Sequence, residues 1–320
     1  MHCLIYGAGA LGQAVGCLLA AAGHDVVLVL RQRYIDVLRA GGLRVTGIFG
    51  EYRVEPDHLT LWPDLQGCSG GRFDYVLLTT KTYDTKAAVA EIAALDGCLC
   101  PVVTMQNGCG NLEQLSHRLG EERSLAARVI TGFEVETPGA VRITVSADSV
   151  HIGGARRGEI PAAADRLAAA LDQAGLPSRA VADIHQSLFA KLLYNCALNP
   201  LGAILGVHYG ALAESAAGRR IMDAVIEETF AVVRAMGGSL PWSEPEGYRR
   251  VFYEQLVPAT YRHRSSMLQD LEQGKPTEVD AMVGYVSAMG QHHGVATPCC
   301  SLLAELVRAR EHSAGIHAPL

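Results

Sequence analysis

Short apolar runs alternate with helical patterns along the first half of the chain. Continuous apolar runs between turn residues predict strands at residues 3–6, 26–30, 75–79 and 102–105. Apolar residues that recur every three or four positions predict helices at residues 11–22, 85–94, 111–119 and 161–174. This alternation predicts an α/β fold, a doubly wound sheet with helices on both faces.

Two further stretches of this half are rich in strand-forming residues. Residues 43–54 predict a β-hairpin insertion, because Gly47 and Gly50 punctuate two alternating segments. A similar stretch at residues 129–152 turns at Pro138-Gly139.

After about residue 182 the strand signals stop and the pattern is helical throughout. A long helix is predicted at residues 183–205, with Asp183 as its expected N-cap. Further helices are predicted at residues 218–236, 246–256, 265–273, 278–289 and 298–311. We therefore expect a sheet domain over residues 1–181 and an all-helical domain over residues 182–320.

The composition narrows the class of ligand. A chain of 320 residues with 49% hydrophobic and 19% charged residues is typical of a globular protein with two domains. The net charge of −6 and the absence of a Lys/Arg run argue against a nucleic-acid or membrane partner, because both require a basic footprint. A small molecule is the expected ligand.

The cysteines and the lengths of the apolar stretches indicate the cellular compartment. Nine cysteines without a CxxC pair are typical of reduced thiols. His292-His293 and Cys299-Cys300 form a metal-like cluster, but no second ligand pair matches it, so we expect surface and packing roles and no metal. No basic leader and no uninterrupted apolar stretch of about 18 residues is present, so the cytoplasm is the expected compartment.

A glycine-rich motif follows the first predicted strand and opens a helix. Its residues are Gly7, Ala8, Gly9, Ala10, Leu11 and Gly12. In such a GxGxxG motif the glycines permit a tight turn, close approach of a pyrophosphate and close helix–strand packing. Three glycines can also form a simple turn, but here strand, helix and second strand follow in the order that dinucleotide binding requires.

Basic and amide residues follow the next predicted strands. Arg31, with Arg33 close by, stands where NAD-binding proteins place an acidic residue, and a guanidinium there can pair with the 2′-phosphate of NADP. We therefore expect NADP(H); the alternative is a solvated arginine. Lys81 and Asn107 follow two central strands, where ligands of open sheets bind, although an exposed lysine and a turn residue are the simpler interpretations.

A polar stripe crosses the otherwise apolar helix that opens the second domain. Lys191, Asn195 and Asn199 are spaced four residues apart and so lie along one side of that helix. A desolvated lysine can protonate the alkoxide that hydride transfer to a carbonyl leaves, and amides can orient the substrate. A structural hydrogen-bond network between helices is the alternative.

These motifs together resemble those of the ketopantoate reductase (2-dehydropantoate 2-reductase) family. The similarity runs nearly end to end, through GAGALG with Arg31, Lys81, QNG at 106–108, KxxxNxxxNPL at 191–201 and SSMLQD…TE at 265–278. It implies a Rossmann domain joined to a helical domain of the 6-phosphogluconate dehydrogenase type, with the active site between the domains and dimerisation through the helical one. The implied activity is NADPH-dependent reduction of ketopantoate to (R)-pantoate in coenzyme A biosynthesis.

The resemblance also implies residue roles. Lys191 would be the general acid, and Glu278 would bind the substrate hydroxyl and help to orient the site. Arg31 and Lys81 would meet the phosphate and ribose of NADP, while Asn107 would contact both cofactor and substrate. The residues that would hold the 2-oxo acid end are Asn195, Asn199 and Ser266.

Two departures from the family pattern concern specificity. Members often carry Asn-Gly-Glu-Leu shortly after the NPL motif, whereas this chain has His208-Tyr209-Gly210-Ala211-Leu212. Asp84 stands where some members have glutamine near the cofactor. The alternatives are therefore a paralogue that reduces another 2-oxo acid or carbonyl, and a non-catalytic NADPH-binding regulator.

Overall fold

The apolar runs and amphipathic segments of the first half of the chain fold as alternating strands and helices. The computed structural model describes residues 1–68 and 72–317. The chain divides into two units: the first comprises Met1–Asn107 and Asn111–Ile184, and the second comprises Gly108–Gly110 and the chain from His185 onward.

The first unit contains two sheets and their covering helices. Its strands are β1 (His2–Tyr6), β2 (Asp25–Val29), β3 (Leu43–Gly47), β4 (Tyr52–Val54), β5 (Thr60–Trp62), β6 (Tyr75–Leu78), β7 (Val102–Thr104), β8 (Ser124–Arg128), β9 (Thr131–Thr137), β10 (Ala140–Ser146), β11 (Val150–Gly154) and β12 (Ser178–Ala180). Its helices are α1 (Ala10–Ala21), α2 (Gln32–Gly41), α3 (Thr85–Ala93), α4 (Asn111–Leu119) and α5 (Ala162–Gln173).

The larger sheet confirms the predicted doubly wound fold. Its eight strands lie in the order β12-β11-β8-β7-β6-β1-β2-β5, and every neighbouring pair is parallel except β8 with β11. From β5 to β8 this is the strand order of two mononucleotide-binding halves. Every residue of β6 and β7 is buried, as expected of central strands with both faces covered. The order reverses beside β1, where such sheets bind ligands at their carboxyl edge.

The two β-rich insertions form one smaller sheet. The predicted hairpin is confirmed as the antiparallel pair of β3 and β4, and the predicted turn at Pro138-Gly139 joins β9 to β10. Strand β3 also pairs in parallel with β10, so the smaller sheet has the order β4-β3-β10-β9. Local patterning could not predict this pairing, because the two strands are distant in sequence.

Several elements of the first unit were not predicted. Helix α2 buries only Ile35 and Leu38, and β5 and β12 are edge strands of three residues each. Strand β8 is fully buried, but its sequence SLAAR lacks the β-branched and aromatic residues that mark a strand. The formation of these elements depends on contacts with neighbouring strands of the sheet, which a local sequence pattern does not show.

The second unit is helical. Its helices are α6 (Ile184–Leu205), α7 (Tyr209–Glu214), α8 (Ala216–Ala235), α9 (Pro245–Val251), α10 (Val257–Ala259), α11 (Ser266–Glu272), α12 (Val283–His293) and α13 (Pro298–Ser313). Among the described helices α6 alone has the length and apolar character to cross a membrane, but 67% of its apolar window is buried inside the protein. It is therefore best described as a core helix.

Two helix predictions for the second unit need correction, and one further helix was missed. The helix predicted at residues 278–289 begins at Val283, because a 3₁₀ turn at Val279–Ala281 precedes it and Met282 has φ −114° and ψ −110°. The carbonyl of Ala281 accepts a hydrogen bond from the Cys109 N–H (2.9 Å). The helix predicted at residues 246–256 is α9 followed by a π-helical turn at Phe252–Leu256, and α7 was not predicted.

A buried histidine lies among two arginines at the edge of the larger sheet. His151 on β11 is opposite Arg128 on β8 and Arg179 on β12. Its Nδ1 lies 2.6 Å from the Arg128 Nη2, and the Arg179 Nε lies 2.9 Å from its Nε2. Burial and the two guanidinium charges lower the pKa of His151 to about 4, although Asp148 opposes this. His151 is therefore neutral in the folded protein at neutral pH.

The depressed pKa of His151 makes the free energy of unfolding dependent on pH. The unfolded chain takes up a proton at His151 near pH 6.5 and the folded chain only near pH 4, so stability is full above about pH 6.5 and declines as pH falls between these values. From pH 7 to pH 5 this decline is about 2 kcal/mol. We expect His151→Gln to remove it in urea unfolding curves, whereas the exposed His58→Gln should not. Identical pH profiles for the wild type and His151→Gln would contradict this.

Candidate active site

The glycine-rich loop connects β1 to α1 at the carboxyl edge of the larger sheet. Gly7 has φ +100°, which favours glycine, and a Cβ there would collide with Thr80. A Cβ on Gly12 would collide with the carbonyl of Gly7, which also accepts a hydrogen bond from the Thr79 hydroxyl. Gly9 differs: it is exposed, and a Cβ on it would meet no described atom within 4 Å. Gly7 and Gly12 are thus required by packing, and Gly9 faces open space.

The start of α1 presents backbone donors at this loop. Gly9 is the N-cap residue, and no described side chain caps the helix. The first-turn N–H groups therefore suit a phosphate, which the helix dipole also favours. The buried Gln13 supports the loop, because its Nε2 donates to the carbonyl of Ala8 (2.9 Å) and its Oε1 accepts from the Gly139 N–H (3.2 Å). Gln13 was not among the residues predicted from the sequence, where its position just after GxGxxG was its only signal.

The contrast between Gly9 and Gly12 yields a paired test of the cradle. A methyl group at Gly9 occupies the open space beside the α1 N-terminus without disturbing the fold, since φ is −72° there. We expect Gly9→Ala to keep the wild-type melting temperature and to weaken dinucleotide binding roughly tenfold or more, measured by cofactor fluorescence. Gly12→Ala should instead lower the melting temperature. Unchanged dinucleotide affinity in Gly9→Ala would refute the assignment of this loop as the phosphate site.

Arg31 lies just beyond β2 at the same edge. It is exposed and is the N-cap residue of α2. Arg33, by contrast, stacks on Tyr34, with its Cζ 4.9 Å from the ring centroid and its Nη2 donating to the Tyr34 hydroxyl (3.3 Å). The carboxyl group of Asp84 follows β6; burial raises its pKa, and the charge of Arg31 opposes this shift. Arg31 and Asp84 are therefore within electrostatic range of each other.

A buried hydrogen-bond network joins the ends of β6 and β7. The Gln106 Nε2 donates to the carbonyl of Lys81 (3.2 Å) and to the Thr85 hydroxyl (2.9 Å). That hydroxyl donates to the Asn111 Oδ1 (3.0 Å), and the Asn111 Nδ2 donates to the carbonyl of Asn107 (3.0 Å). The network fixes the backbone at both Lys81 and Asn107, whose side chains are half-buried. Gln106 entered the sequence-based prediction only as part of the QNG motif.

The larger sheet brings the predicted cofactor residues to one edge. Strands β7, β6, β1 and β2 are neighbours in that order, and Asn107, Lys81, Gly7 and Arg31 follow their carboxyl ends. Parallel strands end at the same edge, so these positions line one continuous margin of the sheet. The predicted residues of the first unit are therefore gathered there.

The polar stripe of α6 lies within the core of the second unit. Asn195 and Asn199 are 6% and 4% exposed, and Lys191 is half-buried. The Asn199 Oδ1 accepts a hydrogen bond from the Tyr209 hydroxyl (2.6 Å), and its Nδ2 donates to the Met282 Sδ (3.5 Å). The Asn199 amide is therefore held by contacts inside this unit.

The two serines at the start of α11 differ in their surroundings. Ser265 is fully buried and is the N-cap: its hydroxyl accepts from the Leu268 N–H (3.1 Å) and donates to the carbonyl of Asn199 (3.3 Å). Ser266 is exposed and is the first residue of α11. Ser266 was the serine predicted from the sequence, whereas Ser265, which connects this helix to α6, was not predicted.

Glu278 is a buried carboxyl group of the second unit. It is 5% exposed and precedes the 3₁₀ turn at Val279–Ala281, but its side chain does not cap that turn. Four residues later, Met282 contacts the amide of Asn199. The segment that begins at Glu278 therefore reaches the α6 stripe through Met282.

Tyr209 and His208 stand where members of the family that the chain resembles often carry the run Asn-Gly-Glu-Leu. Tyr209 is 2% exposed, and burial raises the pKa of its hydroxyl well above the usual value, so it remains a hydrogen-bond donor to Asn199. Its ring packs edge-on against Tyr194, with centroids 5.8 Å apart. His208 is the N-cap of α7, and its Nδ1 accepts from the Ala211 N–H (3.3 Å).

The metal-like residues noted in the sequence lie elsewhere in the second unit. His292 and His293 end α12, and Cys299 and Cys300 lie in the first turn of α13. The carboxylate of Glu228 accepts hydrogen bonds from the backbone N–H groups of both cysteines (2.8 Å each). This arrangement caps a helix.

Comparison with known proteins identifies the family. The model described as ketopantoate reductase PanE/ApbA matches residues 3–157, and its C-terminal counterpart matches residues 183–311. The 2-dehydropantoate 2-reductase of Aquifex aeolicus is 35% identical over 311 residues, 97% of each chain. The chain belongs to the ketopantoate reductase family. It is thereby an oxidoreductase acting on CH–OH groups.

Two solved structures are similar over nearly the whole chain. A PanE/ApbA family ketopantoate reductase from Ralstonia eutropha JMP134 has a TM-score of 0.87 at 31% identity, covering 98% of this chain and 100% of that one. A D-mandelate dehydrogenase, solved with NADH and anilino(oxo)acetate, has a TM-score of 0.85 at 26% identity, covering 99% of this chain and 100% of that one. The two similar structures are therefore named for different enzymes.

Proposed function

We propose that the protein reduces 2-dehydropantoate to (R)-pantoate with NADPH, a step of pantothenate and coenzyme A biosynthesis. The single observation that carries the proposal is the stripe on α6, where half-buried Lys191 precedes buried Asn195 and Asn199 in a chain of this family. NADPH, when bound, supplies the hydride for the keto carbon. The loop Gly7–Gly12 fits its pyrophosphate, because Gly9 leaves room and the α1 N-terminus offers uncapped donors.

The residues of the second unit provide the remaining chemistry. Hydride addition leaves an alkoxide, and the ammonium group of Lys191 donates the proton that neutralises it. Asn195 and Ser266 orient the 2-oxo acid end through hydrogen bonds. The Asn199 Oδ1 accepts a hydrogen bond from Tyr209. The hydrogen-bonding capacity that remains on this amide is offered to the substrate. The carboxyl group of Glu278 accepts a hydrogen bond from the substrate hydroxyl and fixes its orientation.

We assign the coenzyme as NADP(H) on the basis of Arg31, and a substitution there tests this. Loss of a charge-assisted hydrogen bond costs about 1.5–3 kcal/mol, so Arg31→Ala should raise the Kd of NADPH roughly tenfold to a hundredfold and leave that of NADH nearly unchanged. Arg39→Ala, an exposed arginine on the same helix, is the matched control. Equal weakening of NADPH and NADH, or wild-type protein that binds NADH as tightly, would contradict the assignment.

The reaction itself is tested by steady-state NADPH oxidation with 2-dehydropantoate. The wild-type protein should turn over above background, and Lys191→Ala should keep its NADPH affinity while kcat falls at least about a hundredfold, the scale of general-acid catalysis. Lys86→Ala, an exposed lysine on α3, should behave as wild type. Absence of turnover with every 2-oxo acid despite normal NADPH binding would instead indicate a non-catalytic regulator.

A second candidate is reduction of a different 2-oxo acid. The observation that favours it is Tyr209, which fills a buried position against Tyr194 and Asn199 where the family often has an amide run. The structurally similar D-mandelate dehydrogenase acts, by its name, on an aromatic 2-hydroxy acid. A panel of aliphatic, branched and aromatic 2-oxo acids separates the candidates: kcat/KM highest for 2-dehydropantoate supports the first, and highest for another acid supports the second.

A further inference from the structure

Two cysteines lie together in the loop between α3 and β7, outside the candidate active site. The Sγ atoms of Cys98 and Cys100 are 3.6 Å apart. Cys98 is 5% exposed, Cys100 is half-buried, and the intervening Leu99 is 79% exposed. All nine cysteines lie within the described residues and carry free thiols. The two thiols therefore form a reduced pair that approaches solvent at Cys100.

An arginine is fixed beside this pair. The Arg123 Nη2 donates to the carbonyl of Cys98 (2.7 Å), and its Nε donates to the carbonyl of Cys100 (3.2 Å). A hydrogen bond from the Cys100 thiol to the Cys98 sulfur, helped by the Arg123 charge against burial, lowers the pKa of Cys98 to about 7. The same hydrogen bond, with burial, raises the pKa of Cys100. Near neutral pH, a substantial fraction of Cys98 is therefore thiolate beside the Cys100 thiol.

Other cysteines of the chain behave in the opposite way. Burial raises the pKa of Cys17 and Cys68, and also that of Cys299, where the charge of Glu228 adds to it. Cys299 is half-buried like Cys100, and its thiol donates to the carbonyl of Ile221 (3.8 Å). Reactivity towards oxidants follows the fraction of thiolate and the access to it. The chain thus contains a cysteine of similar exposure but different chemistry for comparison.

We propose that Cys98 and Cys100 form a peroxide-reactive dithiol that closes to an intramolecular disulfide. The Cys98 thiolate attacks one oxygen of hydrogen peroxide, the O–O bond breaks, and the leaving hydroxide takes up a proton to become water. The Cys100 thiol then attacks the Cys98 sulfenic sulfur and displaces a second water, which includes the thiol proton. Two thiols are oxidised by two electrons, and one peroxide is reduced to two waters.

The geometry of the loop permits this closure. The sulfur atoms must approach from 3.6 Å to about 2.05 Å, a displacement within reach of a loop whose central side chain, Leu99, is largely in solvent. The loop precedes β7, whereas Asn107 follows that strand at its other end. The dithiol is therefore separate from the cofactor residues of this unit, and the inference does not depend on the proposed function.

Mapping of thiols after oxidation tests the proposal. Reduced protein is exposed to hydrogen peroxide, remaining thiols are alkylated with iodoacetamide, and peptides are analysed by mass spectrometry. We expect Cys98 and Cys100 to lose alkylation together, at least roughly tenfold faster than Cys299, with the mass of a disulfide between them. Cys98 and Cys100 that stay alkylated while Cys299 oxidises as fast would overturn the proposal.

Single substitutions separate the two chemical steps. Cys100→Ser should stop at a sulfenic acid on Cys98, detected as a dimedone adduct, and Cys98→Ser should leave Cys100 unoxidised on the same timescale. Cys299→Ser is the matched control and should form the Cys98–Cys100 disulfide as wild type does. A dimedone adduct on Cys100 in the wild type, with none on Cys98 in Cys100→Ser, would contradict the assigned order.

A second measurement on the wild-type protein removes any dependence on the folding of variants. Phenylarsine oxide bridges two neighbouring thiols but binds single thiols weakly. The native reduced protein should retain one equivalent of phenylarsine oxide, which protects both Cys98 and Cys100 from alkylation and is released by a competing dithiol. Alkylation of both cysteines despite the arsenical would show that the pair does not act as a dithiol.

Discussion

The close packing of α1 against the carboxyl ends of β1 and β6 is the constraint on which the first unit depends. A Cβ on Gly12 would collide with the Gly7 carbonyl, and a Cβ on Gly7 would collide with Thr80. Thr79, at the end of the neighbouring strand, donates a hydrogen bond from its hydroxyl to the same Gly7 carbonyl. This close packing brings the uncapped first turn of α1 to the sheet edge. The exposed Gly9 remains accessible to a ligand because Gly7 and Gly12, on either side of it, make the close packing contacts.

In the second unit, polar side chains are held inside an apolar core of helices. Buried amides are stable only when their hydrogen bonds are made. Tyr209 and Met282 meet the amide of Asn199, and Ser265 meets its backbone carbonyl, so the Asn199 amide is oriented by contacts within this unit. Preorganised surroundings of this kind are what the proposed proton donor Lys191 requires. The same contacts make Tyr209 part of the immediate surroundings of Asn199.

Local pattern was sufficient to predict the positions of β1, β2, β6 and β7 and the helical second half, because periodicity and glycine spacing are local properties. It also selected Arg31, Lys81 and Asn107, since residues after parallel strands share one edge. It could not predict the pairing of β3 with β10, or the roles of Gln106 and Ser265. Those depend on contacts between segments distant in sequence, and a buried Gln or Ser has the same local signature as an exposed one.

The central claim is that Lys191 is the proton donor for a 2-oxo acid reduced by a dinucleotide held at Gly9. A crystal structure of the ternary complex with NADP⁺ and an unreactive 2-oxo acid analogue tests it most directly. The account predicts pyrophosphate oxygens on the first-turn N–H groups of α1 and the Lys191 Nζ about 2.6–3.2 Å from the 2-oxo oxygen. An analogue bound with that oxygen hydrogen-bonded to other groups, and with Lys191 directed away from it, would contradict the account.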